Sequence, residues 1–235
     1  MRCCIADLIV EIPEAGGMAP RCRAYLTHRT EPADIRICQE DYDFTCWKTD
    51  DVALATYMES GFQFYGHLLR FQGMLLHASA VAMDGMAYLF SGPSGMGKST
   101  HTRLWQQQFG AAAQVFNDDK PALRLLDGHW YAYGTPWCGK DGINQNRKVP
   151  LGGICFLKRS DENRMRRLSA AEAVPLLFGQ TIYRLQKPEN ALRLMDTVDA
   201  LVRRIPIFEL ECLPDPEAAI LSSRTMMSAA QEEIL

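Results

Sequence analysis

Short apolar runs broken by turn residues open the chain, and a longer helical repeat follows them. Ile5–Ile12, Arg21–Thr27 and Ile35–Cys38 read as strands, punctuated by Pro13, Gly16, Gly17, Pro20 and Pro32. After Asp50 and Asp51, the apolar positions Val52, Leu54, Ala55, Met58, Phe62, Tyr65, Leu68, Leu69 and Phe71 recur at threes and fours, which predicts one helix over about 51–72. Met74–Ala82 reads as a strand, Asp84-Gly85 as a hairpin turn and Met86–Phe90 as the returning strand. A helix is expected over 99–109. Ala113–Phe116 is a further strand, ending at Asn117, Asp118, Asp119 and Lys120. Ala122–Leu126, the turn at Asp127-Gly128 and Trp130–Tyr133 form a second hairpin, followed by a long polar loop over 134–148. Gly153–Leu157 and Ile205–Glu211 are apolar enough for strands, helices fit 169–180 and 188–203, and 215–235 is mostly helical. The expected fold is one mixed α/β (α+β) domain over 1–235, with a β-rich portion over 1–50.

Composition narrows the setting. The chain has 235 residues, 47% hydrophobic and 23% charged, enough for one sizeable core. A net charge of −3 gives no electrostatic reason to expect nucleic acid or an anionic membrane as partner. No apolar stretch reaches the length of a membrane span, and the N-terminus has no signal-peptide core, so a cytoplasmic location is expected. Eight cysteines, at 3, 4, 22, 38, 46, 138, 155 and 212, show no Cys-x-x-Cys and no tight Cys/His cluster, and read as reduced packing residues.

The chemistry concentrates at one motif. Residues 92–99, Gly-Pro-Ser-Gly-Met-Gly-Lys-Ser, fill the pattern Gly-x4-Gly-Lys-Ser/Thr between a strand-like run and a helix start. Glycines let amide N–H groups face inward without a Cβ in the way, and a helix N-terminus adds its positive end. Gly92, Pro93, Ser94, Gly95, Met96, Gly97, Lys98, Ser99 and Thr100 are therefore the expected phosphate cradle. Lys98 would reach the β- and γ-phosphates, Ser99 would ligate Mg²⁺ and Thr100 would bond the α-phosphate. Asp118 and Asp119, at a strand end, supply hard oxygens for a metal or a carboxylate base for a hydroxyl. His77 lies in an apolar strand beside the loop strand. It is either a core histidine satisfied by backbone or a group that touches the γ-phosphate or orients Asp119. Lys140, Arg147 and Lys148 in the polar loop could clamp a transferring phosphate, Arg147 first among them. Trp137 could stack on a ligand or pack. The basic run Lys158–Arg167 reads as a solvated turn.

The order of these parts, a His-bearing hairpin, the phosphate loop and then Asp-Asp, resembles the catalytic domain of HPr serine kinase/phosphorylase, of the phosphoenolpyruvate carboxykinase-like fold. It is similar too to the HPr-kinase-like proteins of bacterial peptide-modification clusters, including lasso-peptide precursor kinases. The resemblance covers about 67–160, the expected P-loop core. It implies ATP-dependent phosphorylation of a Ser hydroxyl on a protein or peptide. Asp119 would take the hydroxyl proton, Asp118 would help hold the Mg²⁺ or the loop, and His77, Lys98 and Ser99 would fill their family positions. It also implies a possible homo-oligomer. The arginine-bearing substrate loop of HPr kinases has no counterpart here, which points away from HPr as acceptor and from the reverse reaction. Two other readings remain open: a small-molecule kinase on a P-loop scaffold, and a non-catalytic nucleotide-binding accessory protein.

Overall fold

The computed structural model describes residues 1–181 and 188–232. Its first strands, β1 (Arg2–Ile5) and β2 (Leu8–Glu11), form a tight hairpin where one strand over Ile5–Ile12 was expected. Ala6 and Asp7 turn the chain with φ of 52° and 61°, the left-handed conformation a two-residue hairpin turn demands. The strand expected at Arg21–Thr27 is instead a short helix, α1 (Met18–Cys22), continued by a 3-10 turn over Arg23–Tyr25. Met18, Cys22 and Tyr25 are buried, a helical spacing, and Pro20 falls in the first turn, where its missing N–H costs nothing. A two-residue strand, β3 (Ile35–Arg36), runs parallel to β2. Helix α2 (Val52–Leu68) starts at Asp51, whose carboxylate accepts from the N–H groups of Ala53 and Leu54 at 2.9 and 3.1 Å, and a 3-10 turn over Leu69–Phe71 ends it.

The segment expected as one strand over Met74–Ala82 is two, β4 (Gly73–Leu75) and β5 (Ala78–Met83), because the chain crosses from one sheet region to another at Leu76 and His77. Then come β6 (Met86–Ser91), α3 (Lys98–Phe109), β7 (Gln114–Asp119), β8 (Ala122–Leu126), β9 (His129–Tyr133) and β10 (Lys148–Arg159). Strand β7 thus continues through both aspartates. The basic run carries the end of β10 and a further strand, β11 (Arg164–Arg167), rather than only a turn. Arg164, Arg166 and Arg167 are exposed, so β11 has no alternating apolar signal; an edge strand of this kind is guarded by charge. Helices α4 (Ala170–Gly179) and α5 (Pro188–Val202), strand β12 (Ile207–Cys212) and helix α6 (Pro216–Glu232) complete the described chain; the end of the helix expected to 235 lies outside the described residues.

The larger sheet runs β4-β8-β9-β10-β6-β5-β7, and β12 and β11 branch from β10. Strand β10 joins the two regions, pairing antiparallel with β9 at its start and parallel with β6 and β12 farther on. Strand β6 is buried on both faces. Ala87 and Leu89 meet the core that includes Leu194, Val198 and Leu201 of α5, while Tyr88 and Phe90 meet Trp105 of α3 and Met226 of α6. A third core joins the N-terminal strands and α2 to Leu75, Ala122, Tyr133 and Trp137. The mixed α/β class is as expected, and of the N-terminal strands the one near Ile35 forms at its expected place. No helix among the described residues is long and apolar enough to cross a membrane. The cysteines described are thiols, with Cys3, Cys22, Cys138 and Cys155 buried.

The polar loop doubles back along β7. Gln145 N–H donates to Phe116 O at 2.9 Å, Asp118 N–H to Ile143 O at 3.1 Å and Gly139 N–H to Asp118 O at 2.7 Å. Gly134 makes this return possible, since a Cβ there would lie 1.8 Å from the Gln145 carbonyl oxygen. Gly134→Ala is expected to destabilise the fold by about 2 kcal/mol, or roughly 4–8 °C in Tm. An unchanged thermal unfolding curve would contradict this account of the loop.

Candidate functional site

Two crossings of the chain run side by side and build the site. One passes from β4 through Leu76 and His77 into β5; the other passes from β7 through Lys120 and Pro121 into β8. Ala78 pairs with Asp119 and Leu75 with Ala122, so His77 and Asp119 meet at the seam. His77 Nε2 lies 2.9 Å from Asp119 Oδ1, and the Lys120 ammonium contacts Asp119 Oδ2. Burial alone would raise the Asp119 pKa. The hydrogen bond from His77 and the charge of Lys120 outweigh it and hold the carboxyl far below the ordinary carboxylate range. Asp119 has φ of 99°, a conformation that L-residues rarely adopt and that is held here by pairing with Ala78 and a bridge to Cys138.

Asp118, one residue back, accepts from the Ser99 hydroxyl, 3.0 Å from Oδ1 and 2.9 Å from Oδ2. Ser99 stands in the first turn of α3, after the loop. Gly92, Gly95 and Gly97 have φ of 146°, 77° and 105°, which no other residue would take readily. The buried Lys98 ammonium donates to the carbonyls of Gly92 and Pro93 at 2.9 and 3.2 Å. Burial lowers its pKa, while Asp119 and Asp118 act in the opposite direction, so both carboxylates are felt at this ammonium. Pro93, Ser94, Gly95 and Thr100 are exposed, and Met96 and Gly97 are half-buried. A cleft of about 460 Å³ opens beside the loop, lined in part by Gly97, Thr100, Leu104, Leu157 and Leu213. Arg159, at the end of β10, donates to the Gly95 carbonyl at 2.6 Å.

The Ser99 hydroxyl and Asp118 carboxylate form a hard-oxygen pair beside the loop. Among the described residues, no group of three or more His, Cys, Asp or Glu could by itself hold a metal. That donor set fits a cation such as Mg²⁺, which takes one or two protein oxygens and completes its shell with phosphate and water.

His77, Lys98, Ser99, Asp118 and Asp119 are therefore brought together; Arg147 is not. Its guanidinium donates to Gln114 at 2.8 Å, at the start of β7, whereas the aspartates are at the end of that strand. Lys148 pairs with Asp7 at 2.8 Å, and Lys140 is exposed. Trp137 is fully buried, stacked on Phe64 with 4.8 Å between centroids, a packing role. Sequence reasoning missed Lys120 and Arg21. Lys120 was legible as the neighbour of Asp119. Arg21 reaches Cys138 Sγ at 3.1 Å across 117 positions, with no sequence signal.

The sequence model of the ScmC family, described as SynChlorMet cassette protein ScmC, matches residues 43–214. The chain belongs to this family. The match takes in the phosphate loop, both seam crossings and strand β12, while Arg21 lies before it. No curated protein matches the chain. Among solved structures, the Hpr(Ser) kinase/phosphatase from Coxiella burnetii aligns at 13% identity over 66% of this chain and 98% of that one, with a TM-score of 0.37, a likeness too loose to carry an argument.

Helix α3 is anchored behind the loop by Ser222 of α6, whose hydroxyl lies 2.9 Å from both His101 Nε2 and Trp105 Nε1. Burial pushes the His101 pKa down to about 4. Between about pH 6.5 and 4 the unfolded chain binds a proton here that the folded chain does not, so this histidine costs stability as pH falls through that window. Denaturant unfolding at pH 7 and 4.5 is expected to show His101→Gln losing less stability on acidification than wild type, by about 3 kcal/mol at most. Equal losses would show that His101 does not titrate across this interval.

Proposed function

We propose that the protein transfers the γ-phosphoryl group of ATP to a serine hydroxyl on a protein or peptide. The observation that carries this reading is the divergence of two adjacent carboxylates: Asp118 accepts from Ser99 of the phosphate loop, while Asp119 is held by His77 and Lys120. Phosphoryl transfer asks for these parts: a phosphate cradle, a cation holder and a carboxylate facing the incoming hydroxyl. The motif order shared with HPr serine kinase/phosphorylase supports the acceptor class.

In this reading the loop amides and Lys98 grip the triphosphate, and the ammonium exchanges its two carbonyl partners for phosphate oxygens. Ser99 and Asp118 would hold Mg²⁺, which when bound neutralises phosphate charge. The acceptor oxygen forms a bond to the γ-phosphorus as the bond to the ADP oxygen breaks, and the hydroxyl proton passes to Asp119. A carboxylate with a strongly lowered pKa is a weak base. Drawing Lys120 from Asp119 toward the incoming phosphate would raise that basicity when nucleotide is present, and His77 would keep the carboxylate aimed.

Lys98→Ala is expected to abolish both transfer and the thermal shift given by ATP with Mg²⁺. Asp119→Asn should keep that shift and lower transfer by about 10²–10⁴-fold. Ser99→Ala should lose only the Mg²⁺-dependent part of nucleotide affinity, read by titration with and without chelator. Undiminished turnover in Asp119→Asn would overturn the base assignment. Nucleotide hydrolysis without transfer to any hydroxyl would favour the accessory-protein reading.

A further inference from the structure

The acceptor side of the seam carries a cation that the transfer reading does not use. Arg21, the penultimate residue of α1, is half-buried. Its guanidinium donates to Cys138 Sγ at 3.1 Å and lies 4.6 Å from the centroid of the Tyr57 ring. Neither partner is a carboxylate, and none pairs with Arg21 among the described residues. Removing a guanidinium from water without an opposite charge is unfavourable, and such a position is stabilised when an anion arrives. The mount is rigid. The Tyr57 hydroxyl donates to the Cys138 carbonyl at 2.7 Å, and Cys138 is itself bridged to Asp119. The Lys120 ammonium lies 5.6 Å from the same ring and contacts Asp119. Two cations therefore share one aromatic platform beside the carboxylate assigned as base.

We propose that Arg21 determines acceptor specificity by pairing with a carboxylate next to the hydroxyl that is phosphorylated. This rests on the transfer reading above and adds the acceptor's chemistry to it. An acidic side chain beside the serine would pair with Arg21, whose planar guanidinium would bind it through two parallel hydrogen bonds. The contact turns the serine oxygen toward Asp119. The N-terminal portion thereby becomes part of the acceptor site rather than a support for it. The α-carboxylate of a free hydroxy amino acid offers the same chemistry from a smaller molecule.

The test uses the full-length protein with Mg²⁺, a non-hydrolysable ATP analogue and two fluorescent peptides. Each carries alanine in place of the acceptor serine, flanked on both sides by Glu in one peptide and by Gln in the other. Wild type is expected to bind the Glu peptide about tenfold more tightly, and Arg21→Gln to bind the two equally while keeping its thermal shift with nucleotide. Arg21→Lys should restore part of the preference. Competition by free serine would assign the α-carboxylate as a second source of the anion; without it, the acidic side chain is the source. Equal wild-type affinities, no peptide binding, or an Arg21→Gln variant that weakens both peptides alike would overturn the proposal. If the preference holds but the serine-containing Glu peptide is never phosphorylated, the carboxylate site stands and the transfer reading falls.

Discussion

The pairing of β5 with β7 is the constraint on which the site depends. Its register sets Ala78 opposite Asp119 and Ser79 opposite Asp118. A slip of one residue would turn each side chain to the other face of the sheet, carrying Asp118 away from Ser99. Both strands leave the sheet at the same place, one backward through His77 and one forward through Lys120 and Pro121. The chemistry is concentrated where regular pairing stops. Neighbouring contacts fix that point: His77 N–H donates to Gln180 O at 2.7 Å, and Tyr65 Oη donates to Lys120 O at 2.6 Å. Buried Thr135 Oγ1 also donates to Lys120 O, at 2.8 Å.

Much of this was legible in the sequence where the cause is local. The glycine loop, Lys98 and Ser99 announce themselves because their spacing is set by one turn and one helix start. The helix at Val52–Leu68 was legible from its period and from Asp51 at its cap, and the hairpins at 84–85 and 127–128 from their Asp-Gly turns. The Ala6-Asp7 turn was missed because it lacks glycine and sits between apolar residues that read as one run. The break at Leu76 and His77 was missed for a related reason: both flanking segments are buried on both faces, so no change of period marks the crossing.

The remaining gaps are long-range. Arg147 and Arg21 are each one arginine in a polar or turn-rich stretch, and nothing nearby tells them apart. The return of residues 138–145 along β7 sends Arg147 to Gln114 at the far end of the strand, while the fold of α1 brings Arg21 to Cys138. Where each arginine ends up is decided by contacts between residues 33 and 117 positions apart. Local propensity does not report on such contacts.

The loop that returns along β7 has a further effect. A strand at the end of a sheet ordinarily offers unpaired N–H and C=O groups to which an extended peptide can add. Here Phe116 O, Asp118 N–H and Asp118 O already bond Gln145, Ile143 and Gly139 of the chain itself. An arriving polypeptide therefore finds no main-chain template at the aspartates. A peptide acceptor of the kind proposed would have to be read through its side chains, by charge and shape rather than by backbone extension.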